Sequence, residues 1–179
     1  MAAQHRPGPD EYAPYYEQYV VAAGAGDPLE TLASQERDLV GLVGGLSPAA
    51  GAFRYAPEKW SIREVIGHVI DAERVFAYRA LRFARGDETP LAGFDQNDWA
   101  RTTNADSRPL DDLLAEFRAV RAATLALFAG LPDEALSLGG VASDNHVTVR
   151  ALLYITLGHA VHHIGVLRDR YLSHPDFPG

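Results

Sequence analysis

Near its C-terminus the chain reads "HAVHHIGVLRDRY", which places His159, His162 and His163, three of its seven histidines, within five residues. On a helix at about 100° per residue, the apolar stripe of this stretch centres near Val149, Leu153, Ala160 and Leu167. His163 falls roughly 40–50° from that centre and His159 roughly 80–90°, on the same side, whereas His162 falls about 150° away on the outer face. His159 and His163, at i and i+4, therefore share one edge of the buried face, and two imidazoles so spaced can converge on one cation. The competing reading is a hydrogen-bonded pair of core histidines. A zinc-protease reading is excluded, because "HAVHH" has no glutamate after its first histidine to act as base.

Two ligands rarely hold a metal, so a third is sought elsewhere in the chain. His5 and His174 lie near the termini, where order is least expected, and His146 falls in a loop before the last helix. His68 sits one to two turns into a helix, at the flank of its apolar stripe, and is equally readable as a solvated histidine. Three neutral imidazoles with an open position make the ligand set of catalytic zinc sites.

Four long helical patterns position these residues. The first starts after Asp27, a capping residue followed by Pro28 and, three on, Glu30. Leu29, Leu32, Ala33, Leu39, Val40 and Val43 form its stripe. An amphipathic segment, "DEYAPYYEQYV", precedes it and is expected to pack across the bundle. The second starts with a capping box, Ser61 and Glu64, carries Val65, Val69, Phe76, Ala80 and Phe83 on one face, and ends at Gly86. An irregular connection, "GDETPLAGFDQNDWARTTNADSRP", follows; loops of that length are often functional. The third spans about 110–129 and stops at Gly130 and Pro132; "LPDEAL" adds a turn. The fourth spans about 148–172. No period-2 run stands out. The expected fold class is all-α, a four-helix bundle with a long connection between its second and third helices, in one domain over 1–179.

"KWSIREVIGHVIDAERVFAYRALRFARGDETPLAGFDQNDW", followed far downstream by "GHAVHHIGVLRDRY", resembles the DinB/YfiT-like superfamily. The pattern is a Trp-Ser helix start, a histidine in that helix and a late H-x3-H. The resemblance extends over nearly the whole chain. It implies a four-helix bundle of non-sequential topology and a divalent metal, nickel or zinc, held by His68, His159 and His163. Family members with assigned activity are thiol-dependent S-transferases and isomerases using low-molecular-weight thiols; others are described as metal-dependent hydrolases. The resemblance thus implies a metal-dependent transferase or hydrolase with a small-molecule substrate, and no residue here selects between them. The alternatives are a non-catalytic metal-binding or stress-response module, and a metal-free bundle with a polar core.

Three charged residues lie on apolar stripes: Glu36, Glu73 and Arg121. Unpaired burial of a charge is costly, so Arg121 is expected to pair with Glu73, Glu36 or both; otherwise one of them faces a water-filled cavity, where a carboxylate can serve as a general base. Trp60 is expected to staple its helix entrance and Trp99 to pack the long connection. Leu157 and Val161 widen the fourth stripe, which suggests a homodimer.

Composition narrows the function classes. The net charge is −8 and Lys59 is the one lysine, which argues against nucleic acid as a partner. Cysteine is absent, so there is no disulfide, no thiolate zinc site and no cysteine nucleophile. No stretch approaches the length of a membrane span, and the N-terminal stretch "MAAQHRPGPDEY" has no apolar region, so no signal peptide is expected. A cytoplasmic location is expected.

Overall fold

The computed structural model describes residues 5–179. Its long helices are α2 (Pro28–Val43), α4 (Ile62–Ala84), α6 (Leu110–Ala129) and α7 (Val149–Val166), with short helices α1 (Glu17–Ala22), α3 (Pro48–Gly51) and α5 (Gln96–Thr102) between them. The sequence signals act where expected. The Asp27 carboxylate accepts from the backbone N–H of Leu29 and Glu30. Ser61 and Glu64 form a reciprocal capping box, so the start of α4, and with it the position of His68, is fixed from both ends of the first turn. Gly86, at φ +72°, takes the left-handed conformation after α4.

The bundle is not wound in sequence order. α4 packs on α6 and α7, and α2 packs on the same two helices. The consecutive helices α2 and α4 therefore stand diagonally opposite, as do α6 and α7. This is the non-sequential topology that the resemblance implies, and it makes α4 and α7 direct neighbours.

One polar network links all four helices at the centre. Arg121 of α6 is fully buried. Its Nε and Nη2 donate to the two carboxylate oxygens of Glu73 of α4 at 2.9 and 2.8 Å. Its Nη1 donates to the Leu32 carbonyl and to Gln35 Oε1 of α2, and Gln35 Nε2 donates to the Leu157 carbonyl of α7. The fork-to-fork geometry satisfies both charges. Glu73 thus has an ion-pair partner rather than a water-filled cavity. Glu36 differs from expectation: it pairs with Arg118 at the surface, at 3.3 Å. The buried face of α2 runs through Pro28, Leu32, Gln35, Leu39 and Val43, and this rotation leaves Glu36 on the flank and turns Gln35 inward.

Several elements depart from the sequence expectation. The chain between α6 and α7 forms a hairpin, β1 (Gly139–Ala142) with β2 (Asn145–Thr148), antiparallel. Ser143 and Asp144 both have positive φ in its turn, the left-handed pair of a two-residue hairpin. His146 is therefore a strand residue. Gly140 is required because a Cβ there would lie 2.4 Å from the Phe83 ring. The connection after α4 is not wholly irregular: Asp95 caps α5, and Leu91 bridges to the hairpin. His174 is packed against the Phe53 ring. Of the two residues that widen the α7 stripe, Leu157 is buried and Val161 is partly buried against the core cluster that includes Tyr19 and Val20 of α1. Among the described residues no helix is long and apolar enough to cross a membrane.

Candidate metal centre

α1 crosses α7 at Gly158. A Cβ on Gly158 would lie 1.8 Å from the Tyr19 carbonyl oxygen, so only glycine lets the two backbones approach. The approach sets the Tyr19 ring against His159, centroids 5.3 Å apart and edge-on. Phe76 of α4 closes another side of His159 at 5.6 Å. Trp60, just before the α4 cap, lies 4.9 Å from the His68 ring, and its carbonyl accepts from the Tyr171 hydroxyl at 2.7 Å. Trp60 thus holds the helix entrance, as expected, and also walls His68. Trp99 packs on Phe94 in the connection, centroids 4.4 Å apart.

Within these rings the imidazoles meet. His68 Nε2 is 3.0 Å from His159 Nε2, and His163 Nε2 is 3.2 Å from His159 Nε2. One ligand atom from each of the three lies within 4.8 Å of the others. Among the described residues no carboxylate or fourth histidine joins the cluster. His162 is exposed, as its outward wheel position predicts. His5, His146 and His174 take no part. The depth order of the pair differs from the wheel. His159 is buried and His163 only partly so, because the first three turns of α7 are enclosed on nearly every side and depth there follows position along the axis.

Electrostatics keep the cluster neutral. Burial pushes His68 down to about 4, with His162 adding to the effect. Burial also holds His159 and His163 well below the usual imidazole range, reinforced by the neighbouring histidines. Neutral imidazole is the form that ligates. The donor geometry fits a cation: neighbouring nitrogens bound at about 2.1 Å sit about 3.0–3.4 Å apart, which matches both short separations. Hydrogen bonding fits less well. His159 Nε2 offers one proton or one lone pair, so it serves one neighbour and leaves the other without a partner. His163 Nδ1 is buried without a partner, so packing rather than an outer hydrogen bond sets that ring.

His68 and His159 line one end of a cavity of about 280 Å³ walled by Tyr16, Tyr19, Phe76 and Phe94. A second recess of about 390 Å³ opens at His162, His163 and Trp60, and Gln96 of α5 lines both. The long connection therefore shapes the site, through Phe94 and Gln96. The N-terminal segment and the hairpin contribute as well, which no sequence signal singled out. Nor did any single out Arg79, although His68, Ala72, Phe76 and Arg79, at i, i+4, i+8 and i+11, share one stripe of α4.

The family model described as the DinB superfamily matches residues 31–167. The chain belongs to the DinB superfamily. Among solved structures this DinB chain is similar to YfiT from Bacillus subtilis, described as a probable metal-dependent hydrolase with an unusual four-helix bundle topology. The likeness has a TM-score of 0.71 at 18% identity and covers 90% of this chain and 89% of that one. It shows that the two share the DinB fold. No curated protein matches the sequence.

Proposed function

We propose that this DinB protein is a metal-dependent enzyme in which His68, His159 and His163 hold a divalent ion, nickel or zinc. The observation that carries the reading is the convergence of three Nε2 atoms at the end of a cavity, with no fourth protein ligand among the described residues. A three-ligand site leaves positions for water or substrate, the arrangement of catalytic rather than structural zinc. When bound, such an ion lowers the pKa of a coordinated water or thiol and polarises a carbonyl.

The chain's own residues prepare the site. Burial keeps the three imidazoles neutral and available. Tyr19, Phe76 and Trp60 fix the rings and exclude water from their flanks. Among the described residues no aspartate or glutamate lines the cavity at His68 and His159; Glu58 lines the recess on the His163 side. A divalent ion held by His68, His159 and His163 would supply activation of the nucleophile, for water and for a small thiol alike. The chain has no cysteine, so a thiol nucleophile comes as a low-molecular-weight co-substrate.

The test is a pair of assays on protein loaded with zinc or with nickel: ester and amide hydrolysis, and transfer of a small thiol to an electrophile. Turnover in one of them, lost in His163→Ala, is expected. Stoichiometric metal with no turnover in either would make the protein a non-catalytic metal-binding module.

A further inference from the structure

Arg79 stands on the stripe of α4 that carries His68 and lines the same cavity. It is 3% exposed. Its Nη2 donates to the Ala92 carbonyl and to Ser143 Oγ, both at 2.9 Å, which occupies two of its five N–H donors. Among the described residues no carboxylate is paired with it, whereas the equally buried Arg121 has Glu73 in a bidentate pair. A buried guanidinium without a counter-charge is costly. The cavity offers none: among the described residues no acidic side chain lines it, and its remaining polar lining includes Gln96, Asn145 and Ser143.

We infer that Arg79 is the binding site for the terminal oxyanion, carboxylate or phosphate, of a small organic substrate whose other end reaches the histidine cluster. His68 and Arg79 are eleven residues apart, about 16 Å along the helix axis. Arginine side chains on a helix lean toward its N-terminus, so the guanidinium leans back toward His68. Phe76, Tyr16 and Phe94 wall the space between, which suits a short apolar or aromatic body. The ligand class is a small anionic molecule with an apolar middle. The two ties to Ala92 and Ser143 hold the fork in place, so Arg79 is a specificity-determining residue. The role of the ligand's far end rests on the metal-site reading; the anion site does not.

Ligand-observed NMR on the full chain tests this, with 3-phenylpropanoate and phenyl phosphate as anionic probes and 3-phenylpropanamide as the neutral isostere. The deciding arm uses EDTA-treated protein, in which no metal competes for the anion. The wild type is expected to bind 3-phenylpropanoate at least tenfold more tightly than the amide. That preference disappears in Arg79→Gln, survives in part in Arg79→Lys, and survives in Ser143→Ala, which keeps the guanidinium. The ranking of 3-phenylpropanoate against phenyl phosphate identifies the oxyanion. Equal binding of acid and amide by the wild type, which needs no variant to fold, overturns the proposal, as does a preference retained in a folded Arg79→Gln. Metal content measured on the same samples reports separately: an acid preference without metal binding leaves the anion site standing and removes the metal reading, and the reverse removes only the anion site.

Discussion

His68 and His159 come from helices 91 positions apart in sequence, and their Nε2 atoms face each other at 3.0 Å. That separation holds one proton between the two nitrogens, and a proton on each would set two charges against one another. Both are pushed below the usual imidazole range, chiefly by burial.

This arrangement predicts a pH-dependent stability in the metal-free chain. His68 titrates near 4 when folded and near 6.5 when unfolded, so the unfolded chain binds more protons between those values and stability rises with pH there. The stabilising term is fully present above about pH 6.5 and is lost as pH falls toward 4, at a cost of about 3 kcal/mol for this residue. Urea unfolding of EDTA-treated protein at stepped pH measures it, and His68→Gln flattens the slope over that window. An unchanged slope in the variant contradicts the assignment.

The central ion pair yields a second prediction. Removing one partner, as in Glu73→Ala, strands the Arg121 guanidinium in the core and costs about 3–5 kcal/mol. Replacing both with apolar residues of similar volume, Glu73→Leu with Arg121→Met, costs much less, because no uncompensated charge remains. Chemical denaturation of the single and double variants measures the difference. A double variant as unstable as the single one contradicts it.

Gly158 supplies a third. With the Tyr19 carbonyl 1.8 Å from where a Cβ would stand, Gly158→Ala must push α1 off α7. A loss of about 1–3 kcal/mol follows, together with faster proteolysis in the segment before α2 and loss of the Tyr19 contact with His159. Unchanged thermal stability and protease resistance contradict this account of the glycine.

Much of the scaffold was legible because its signals are local. Asp27 and the Ser61–Glu64 box announce helix starts through side chains that satisfy the first backbone N–H groups, and the third helix, read over about 110–129 from its Gly130 and Pro132 stop, is α6 at Leu110–Ala129. The hairpin was not legible: its strands have four residues each and carry no alternating pattern, and Gly140 is packed against Phe83 of a distant helix. The Arg121–Glu73 pairing could be argued because buried charges need partners; Glu36 was misplaced because a wheel fixes spacing, not the rotation that neighbouring helices impose. The same limit inverted the depths of His159 and His163. Arg79 went unread because an arginine three residues before Arg82 looks like solvated surface until the fold sets it beside a cavity.

The central claim is that His68, His159 and His163 bind one divalent ion. Metal content by plasma mass spectrometry tests it most directly, on tag-free protein never exposed to a nickel column, beside His163→Ala. The account predicts about one metal per chain in the wild type, lost in the folded variant. No metal in the wild type, and none taken up on adding nickel, zinc or manganese, would contradict it and make the cluster a polar core.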